Sequence, residues 1–134
     1  LNMFSKTERS PELITRIFEL RFLTILGYAP LVRECLRCGN QRIENIHFSY
    51  KHCGFLCTEC REEDIYAPRL SKGAVRAIRH IVYSRTEELF GFDVSPQVLS
   101  ELEMVVQRYL KDRLEKNYNK LEFLKSIDLG NNSI

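Results

Sequence analysis

The chain has 134 residues, of which 44% are hydrophobic and 28% are charged, and its formal net charge is only +2. This composition excludes a disordered chain and supplies enough apolar side chains for one core, whereas the length is too short for two full domains. No stretch approaches the roughly 18 uncharged apolar residues of a membrane span, and no secretory signal is visible. The first residue is Leu rather than Met, which suggests a fragment of a longer chain.

The positive charge is concentrated in one short window. Residues 1–68 hold nine basic and nine acidic side chains, and residues 86–134 hold six basic and nine acidic ones. The window between them holds five basic side chains and no acidic one: Arg69, Lys72, Arg76, Arg79 and Arg85. An acidic partner would therefore be bound through this window, since the net charge of the whole chain is small.

Three helices are predicted from N-capping residues and apolar periodicity. The first covers residues 10–26 and begins with Ser-Pro, a cap followed by proline at the first helical position. Its apolar residues cover almost every direction around the axis, so we expect it to be buried on most sides or to meet a missing neighbour. The second covers about residues 71–83. The third starts with another Ser-Pro and runs over about 95–118, with one more turn at 121–124.

Residues 28–66 lack the helical period and are rich in Gly, Pro and Cys. Two short segments, 46–50 and 54–56, are predicted to pair as strands. This segment needs something other than apolar burial to hold it. The predicted fold class is mainly α, a small helical domain with an inserted four-cysteine segment like a zinc finger or zinc ribbon.

Five cysteines fall within 26 residues, and four of them form two C-x2-C pairs separated by eighteen residues. Cys35 and Cys38 form the first pair, and Cys57 and Cys60 the second. Each pair places two sulfurs on one side of a metal, and together they complete a tetrahedron of thiolates. The spacing predicts one structural Zn²⁺ in a reduced, cytosolic protein.

Other interpretations of the cysteines remain. They include ordinary buried cysteines, a redox pair of the thioredoxin type, and a catalytic zinc with three protein ligands. Cys53 is interpreted as a free thiol, with the alternative that it competes with Cys57 for the metal. His47 and His52 are possible ligands but are not needed.

The basic window lies mostly on the second helix, where Lys72, Arg76 and Arg79 share one stripe at helical spacing. The stripe is interpreted as a site for DNA phosphates or an acidic peptide, flanked by Arg69 and Arg85. The alternative is a solvated charged face. No P-loop, G-x-S-x-G or H-E-x-x-H motif is present, so we do not expect an enzyme.

Several motifs occur together in a specific order along residues 12–125. They are residues 18–27, Tyr28-Ala29-Pro30-Leu31, Cys35-x2-Cys38-Gly39, Phe48-Ser49, Gly54-Phe55-Leu56-Cys57-x2-Cys60, Leu70-Ser71, Tyr109-Leu110 and Phe123-Leu124. This order resembles the C-terminal part of the RecO family of bacterial recombination and repair proteins. Two departures are Cys53, where members usually carry Gly, and the zinc pairs themselves, which some members lack.

The resemblance implies a helical domain with an inserted zinc finger, following an N-terminal OB-fold that is absent here. It also implies a mediator of DNA repair and homologous recombination that supports single-stranded DNA annealing and RecA loading. The implied partners are RecR, the acidic tail of single-strand-binding protein, and single-stranded DNA, bound mainly through the OB-fold. The implied location is the bacterial cytoplasm, in association with the nucleoid, with no membrane partner.

The predicted organisation is a flexible N-terminus at 1–9, a domain at 10–125 with the insert at 28–66, and a flexible tail at 126–134. An alternative function is a stand-alone zinc-ribbon protein that binds nucleic acid, such as a transcription factor. Such a ribbon should carry basic residues on its own strands, yet Lys51 is the only cation from residue 43 to residue 60.

Overall fold

A computed structural model describes residues 10–132, and their side chains as far as residue 127. It confirms a mainly helical domain with a small cysteine-rich segment. The helices are α1 (Pro11–Ile25), α2 (Lys72–Tyr83) and α3 (Pro96–Asn132), and the strands are β1 (Ile46–Ser49), β2 (Gly54–Cys57) and β3 (Arg69–Leu70). Two 3-10 helices cover Thr58–Glu63 and Thr86–Glu88. The predicted flexible N-terminus lies outside the described residues.

The three helices begin where their capping residues predict. Ser10, Ser71 and Ser95 each accept a hydrogen bond through Oγ from the backbone N–H three residues later, at 3.1, 3.2 and 3.2 Å. Each bond satisfies one of the N–H groups that the first turn of a helix leaves without a partner. These caps set the starts of all three helices in the described chain.

The third helix is longer than we predicted. We expected it to end at about Tyr118 and to be followed, from residue 126, by a flexible tail; instead, α3 continues to Asn132. No Gly or Pro occurs between residues 97 and 129, so nothing in the local sequence interrupts the helix. The last two residues of the predicted tail lie outside the described chain.

The strands form one sheet in the order β2-β1-β3, with both pairings antiparallel. Ile46 faces Cys57 across one pairing and Leu70 across the other. The hairpin of β1 and β2 confirms the predicted strands. Strand β3 was not predicted, because two residues are too few to show a period. It joins the cysteine-rich segment directly to α2.

The sheet and the helices share one hydrophobic core. Every residue of β1 and β2 is buried. Phe48 of β1 meets Tyr109 of α3 edge-to-face, with ring centroids 5.5 Å apart, and lies 6.1 Å from Phe55. We expected this segment to need something other than apolar burial to hold it, yet its strands are buried, because their side chains reach the helices.

Helix α1 is buried on one side only. Its buried positions follow the helical period, at Leu13, Ile17, Leu20 and Leu23. On the opposite side, Phe18, Phe22 and Ile25 are 60%, 53% and 75% exposed, so the expectation of burial on most sides is wrong. Phe18, Phe22 and Ile25 therefore form the apolar surface of α1 that would meet the missing neighbour.

We expect the chain to self-associate through this face of α1, because large apolar side chains in a row attract apolar surface. The double variant F18S/F22S should lower the mass measured by light scattering towards that of a monomer. F123S, which removes an equally exposed ring from α3, should leave the mass unchanged. A wild-type chain that stays monomeric at every concentration would contradict the prediction.

Candidate functional site

The first cysteine pair lies in a tight turn after α1. The Cys35 backbone N–H donates to the Asn40 carbonyl at 2.8 Å, and the Gly39 N–H donates to the Cys35 carbonyl at 3.0 Å. Gly39 has a φ of 76°, a left-handed conformation that glycine adopts without strain. This turn brings the Cys38 side chain back towards Cys35.

The second pair lies where β2 passes into a 3-10 helix. Cys57 is the last residue of β2, and Cys60 lies in the 3-10 helix that follows. The Cys57 backbone N–H points at the Cys35 sulfur, with N and Sγ 3.4 Å apart. The sheet therefore brings the two pairs together across a sequence gap of eighteen residues.

The four paired cysteines form a compact cluster of sulfur atoms. The Sγ atoms of Cys35, Cys38, Cys57 and Cys60 all lie within 4.8 Å of one another. A tetrahedral zinc site with Zn–S bonds of about 2.3 Å requires sulfurs about 3.8 Å apart. Cys38 and Cys57 meet this distance, with their sulfurs 3.7 Å apart. The cluster is positioned for zinc binding.

The surroundings of the sulfurs favour thiolate at one cysteine and thiol at another. Burial opposes ionisation of Cys35, but hydrogen bonds from the backbone of Cys38, Cys57 and Arg37 outweigh it and lower the pKa to about 6. Burial raises the pKa of Cys57 to about 12 and also raises that of Cys60. Four thiolates this close together would repel one another, and a dication bound between them would offset that charge.

The other possible ligands lie outside the cluster. Cys53 has its sulfur 3.7 Å from the Tyr50 carbonyl oxygen. His47 is buried, and its ring nitrogens lie 3.2 Å from the Ala67 carbonyl oxygen and 3.4 Å from Thr58 Oγ1. The Nε2 atom of His52 lies 3.1 Å from the Glu63 carbonyl oxygen. Both histidines therefore support local backbone structure.

Arg79 does not lie on an exposed stripe as we expected. Its guanidinium donates to the backbone carbonyls of Val32, Gln41 and Arg42, at 2.8, 3.4 and 3.3 Å. Burial lowers its pKa. Arg79 thus fastens α2 to the segment that carries the first cysteine pair, which is a structural role.

Three further cations of the window have partners within the fold. Lys72 Nζ lies 3.1 Å from a Glu44 carboxylate oxygen, and Arg69 donates to Asn45 Oδ1 at 2.5 Å. Arg85 pairs with Glu88 at 3.0 Å. The window itself holds no acidic residue, and the partner of Lys72, Glu44, comes from a loop that is distant in sequence.

Arg76 differs from the other four cations. It is exposed, and its guanidinium makes no hydrogen bond or ion pair to the residues that the structure describes. It lines an open groove of about 410 Å³ between α2 and the start of α3, together with Ala77, His80, Phe92, Val94 and Val98. The groove thus has mostly apolar walls, with both a cation, Arg76, and a carboxylate, Asp93, among its lining residues.

The sequence suggested a groove adjoining the stripe but not its lining, because the second wall comes from residues 92–98, outside the basic window. Gly73 permits the close approach of the two walls: a Cβ there would lie 2.6 Å from Val98 Cγ2. The only sign of the groove in the local sequence is Gly73, because the first turn of a helix such as α2 accepts most other side chains. No helix of the described chain is both long and apolar enough to cross a membrane.

Comparisons with known proteins agree on one family. Residues 1–122 match the family model for the C-terminal part of recombination protein O. The DNA repair protein RecO of Acetivibrio thermocellus is 51% identical over 128 residues, which cover 96% of this chain and 51% of that protein. RecO of Caldicellulosiruptor saccharolyticus is 30% identical over 122 residues, covering 91% of this chain and 49% of that protein.

The chain spans about half the length of the curated relatives that it matches. No solved structure matches it. The family model covers most of the chain, and the motif order found in the sequence agrees with it. The chain therefore belongs to the recombination protein O family and matches the C-terminal part of its members.

Proposed function

We propose that the chain serves DNA repair and homologous recombination as a binding domain of a recombination mediator. Its relatives carry the name DNA repair protein RecO, and the resemblance of the sequence implies a role beside RecR in annealing single-stranded DNA and loading RecA. In this proposal the chain works by binding partners rather than by catalysis, in the bacterial cytoplasm at the nucleoid. Single-stranded DNA is bound mainly by the OB-fold of the intact mediator.

We further propose that Cys35, Cys38, Cys57 and Cys60 hold one structural Zn²⁺. The four sulfurs leave no place for a substrate within the tetrahedron, as expected of a closed structural site. Zinc would join the turn after α1 to the end of β2. Its role is then to shape the surface that α2 and its neighbours present.

We assign the partner site to the groove beside Arg76. A tail that ends in an apolar side chain can place that side chain against Phe92, Val94 and Val98, while its carboxylates meet Arg76. Arginine suits this task, because its planar fork holds a carboxylate through two hydrogen bonds. The acidic tail of single-strand-binding protein, a partner implied by the family resemblance, would supply the carboxylates for Arg76.

A stand-alone zinc-ribbon protein is a poorer explanation. Both strands beside the cysteines are fully buried against the helices, so they offer little surface to nucleic acid. Most cations of the basic window are also held by partners within the fold. DNA phosphates remain a competing ligand for Arg76, and salt dependence separates the two, since phosphate contacts weaken steeply with salt.

We expect R76A to weaken binding of the single-strand-binding protein tail peptide roughly tenfold, as for the loss of one charge-assisted bidentate contact. The measurement is a fluorescence anisotropy titration at two salt concentrations, with a single-stranded oligonucleotide as the second ligand. Zinc content and helicity should not change, because Arg76 holds no other part of the described fold.

The matched control is R85A, which removes an exposed cation from just beyond the end of α2, away from the groove. It should leave peptide binding within about twofold of wild type, since a distant surface charge contributes little. If R76A binds the peptide as tightly as wild type does, the groove is not the site. If it weakens only the oligonucleotide, the ligand is DNA.

A further inference from the structure

The C-terminal part of α3 carries an apolar face that the described fold does not cover. Tyr109 is the last buried residue of this helix among those whose side chains are described. Beyond it, Tyr28 Oη donates to Asn117 Oδ1 at 2.9 Å. From residue 118 to 127, no side chain makes a hydrogen bond or ion pair outside the helix itself. The helix therefore leaves the body of the domain close to Asn117.

Four large apolar side chains lie along one side of this free segment. Leu114, Tyr118, Leu121 and Leu124 are 43%, 61%, 51% and 46% exposed. At about 100° per residue they fall within an arc of roughly 120°, and the row is about 15 Å long. Leu114 and Leu121 are seven residues apart and Leu124 follows three later, which is the a and d spacing of the seam where helices pack side by side, with the polar Asn117 at the d position between Leu114 and Leu121.

The charged residues at the e and g positions that flank this seam are all basic. With Leu114 and Leu121 at a positions of a heptad, Lys111 and Lys125 take e positions, and Arg113 and Lys120 take g positions. Lys125 lies 3.9 Å from Glu122, one turn back along the helix, and both are exposed, so this pair competes weakly with an outside partner. The seam thus runs between cations at its e and g positions, while the acidic Glu115 and Glu122 lie further round the helix, at b positions.

This pattern argues against pairing with a second copy of the chain. In a parallel pair, the Lys120 of each helix would face the Lys125 of the other, and an antiparallel pair would also bring cations together. A helix with apolar a and d positions and acidic e and g positions fits instead. Phe123, 66% exposed, lies on the opposite side of the helix, so a flat membrane surface would leave it in water.

We propose that residues 111–125 form a docking surface for an acidic amphipathic helix of a protein partner. The apolar residues of that helix pack on Leu114, Leu121 and Leu124, and its carboxylates pair with the flanking cations. This surface is separate from the groove beside Arg76 and does not depend on the function proposed for it. The family model ends at residue 122, so the proposal concerns partly a segment beyond the matched region.

The test uses the whole 134-residue chain and a labelled synthetic peptide of four heptads, with Leu at a and d and Glu at e and g. A second peptide carries Lys at e and g. We expect the Glu peptide to bind at least roughly tenfold more tightly in anisotropy titrations, and L121Q/L124Q to remove most of that advantage. K120E/K125E should reverse the preference, so that the Lys peptide binds better.

F123Q is the matched control, because it removes an exposed ring from the opposite side of the same helix. It should leave binding within about twofold of wild type. Equal affinity for the two peptides, or an equal loss in F123Q and L121Q/L124Q, would overturn the proposal. A dimer in sedimentation that L121Q/L124Q abolishes would assign the face to a second copy. Binding to anionic phosphatidylglycerol vesicles without binding of the Glu peptide would assign it to a membrane.

Discussion

Replacing Cys57 by Ser should remove zinc from the chain and destabilise the fold by more than about 4 kcal/mol, the range associated with loss of a structural metal. Cys57 is buried at the end of β2, and its sulfur faces Cys38 at 3.7 Å. A hydroxyl is a poor zinc ligand, and the remaining sulfurs cannot complete the tetrahedron. Elemental analysis should give one zinc per wild-type chain and close to none in C57S.

Cys53 supplies the matched control for this experiment. It lies only four residues before Cys57, but its sulfur is outside the four-cysteine cluster. C53S should therefore keep one zinc per chain and lose less than about 1 kcal/mol, as for an ordinary partly buried side chain. Full zinc content in C57S, or its loss in C53S, would show that the ligand assignment is wrong.

Replacing Phe48 by Ala should destabilise the whole domain by about 3–5 kcal/mol, the usual cost of truncating a fully buried Phe. Phe48 is 1% exposed, and its ring contacts Tyr109 of α3 as well as Phe55 and Tyr50 of the hairpin. Because one core joins the sheet and helices, we expect helicity and tertiary signals to be lost in a single transition. The measurement is urea unfolding followed by far-ultraviolet circular dichroism and tyrosine fluorescence.

The control is L31A, which truncates an apolar side chain of the same segment that is 60% exposed. Its effect should be below about 1 kcal/mol, because little apolar surface is lost from the interior. Two separated transitions in wild type, with the helices unaffected by F48A, would contradict the shared core. The cysteine-rich segment would then be an independent unit held by its metal.

The parts predicted correctly from sequence are those that depend on residues close together in the chain. Ser10, Ser71 and Ser95 cap helices through bonds to the N–H three residues later, so each start is visible locally. The two C-x2-C turns, and the alternation of apolar and polar residues in β1, likewise depend on residues that are close together in the chain. The four-cysteine cluster was predicted from its two local turns, although backbone bonds from Leu31 and Leu36 to residues 53–55 are what bring the turns together.

The sequence by itself therefore determined the mainly helical class, the four-cysteine cluster and the family resemblance. Only the tertiary structure decided what the basic window does, because partners from distant loops hold its side chains: Arg79 bonds to Val32, and Lys72 pairs with Glu44. It also decided that α1 exposes Phe18 and Phe22, which the helical period alone cannot distinguish from buried residues. The physical reason is common to both: capping and turn geometry are short-range, whereas burial and charge pairing depend on which segments meet in three dimensions.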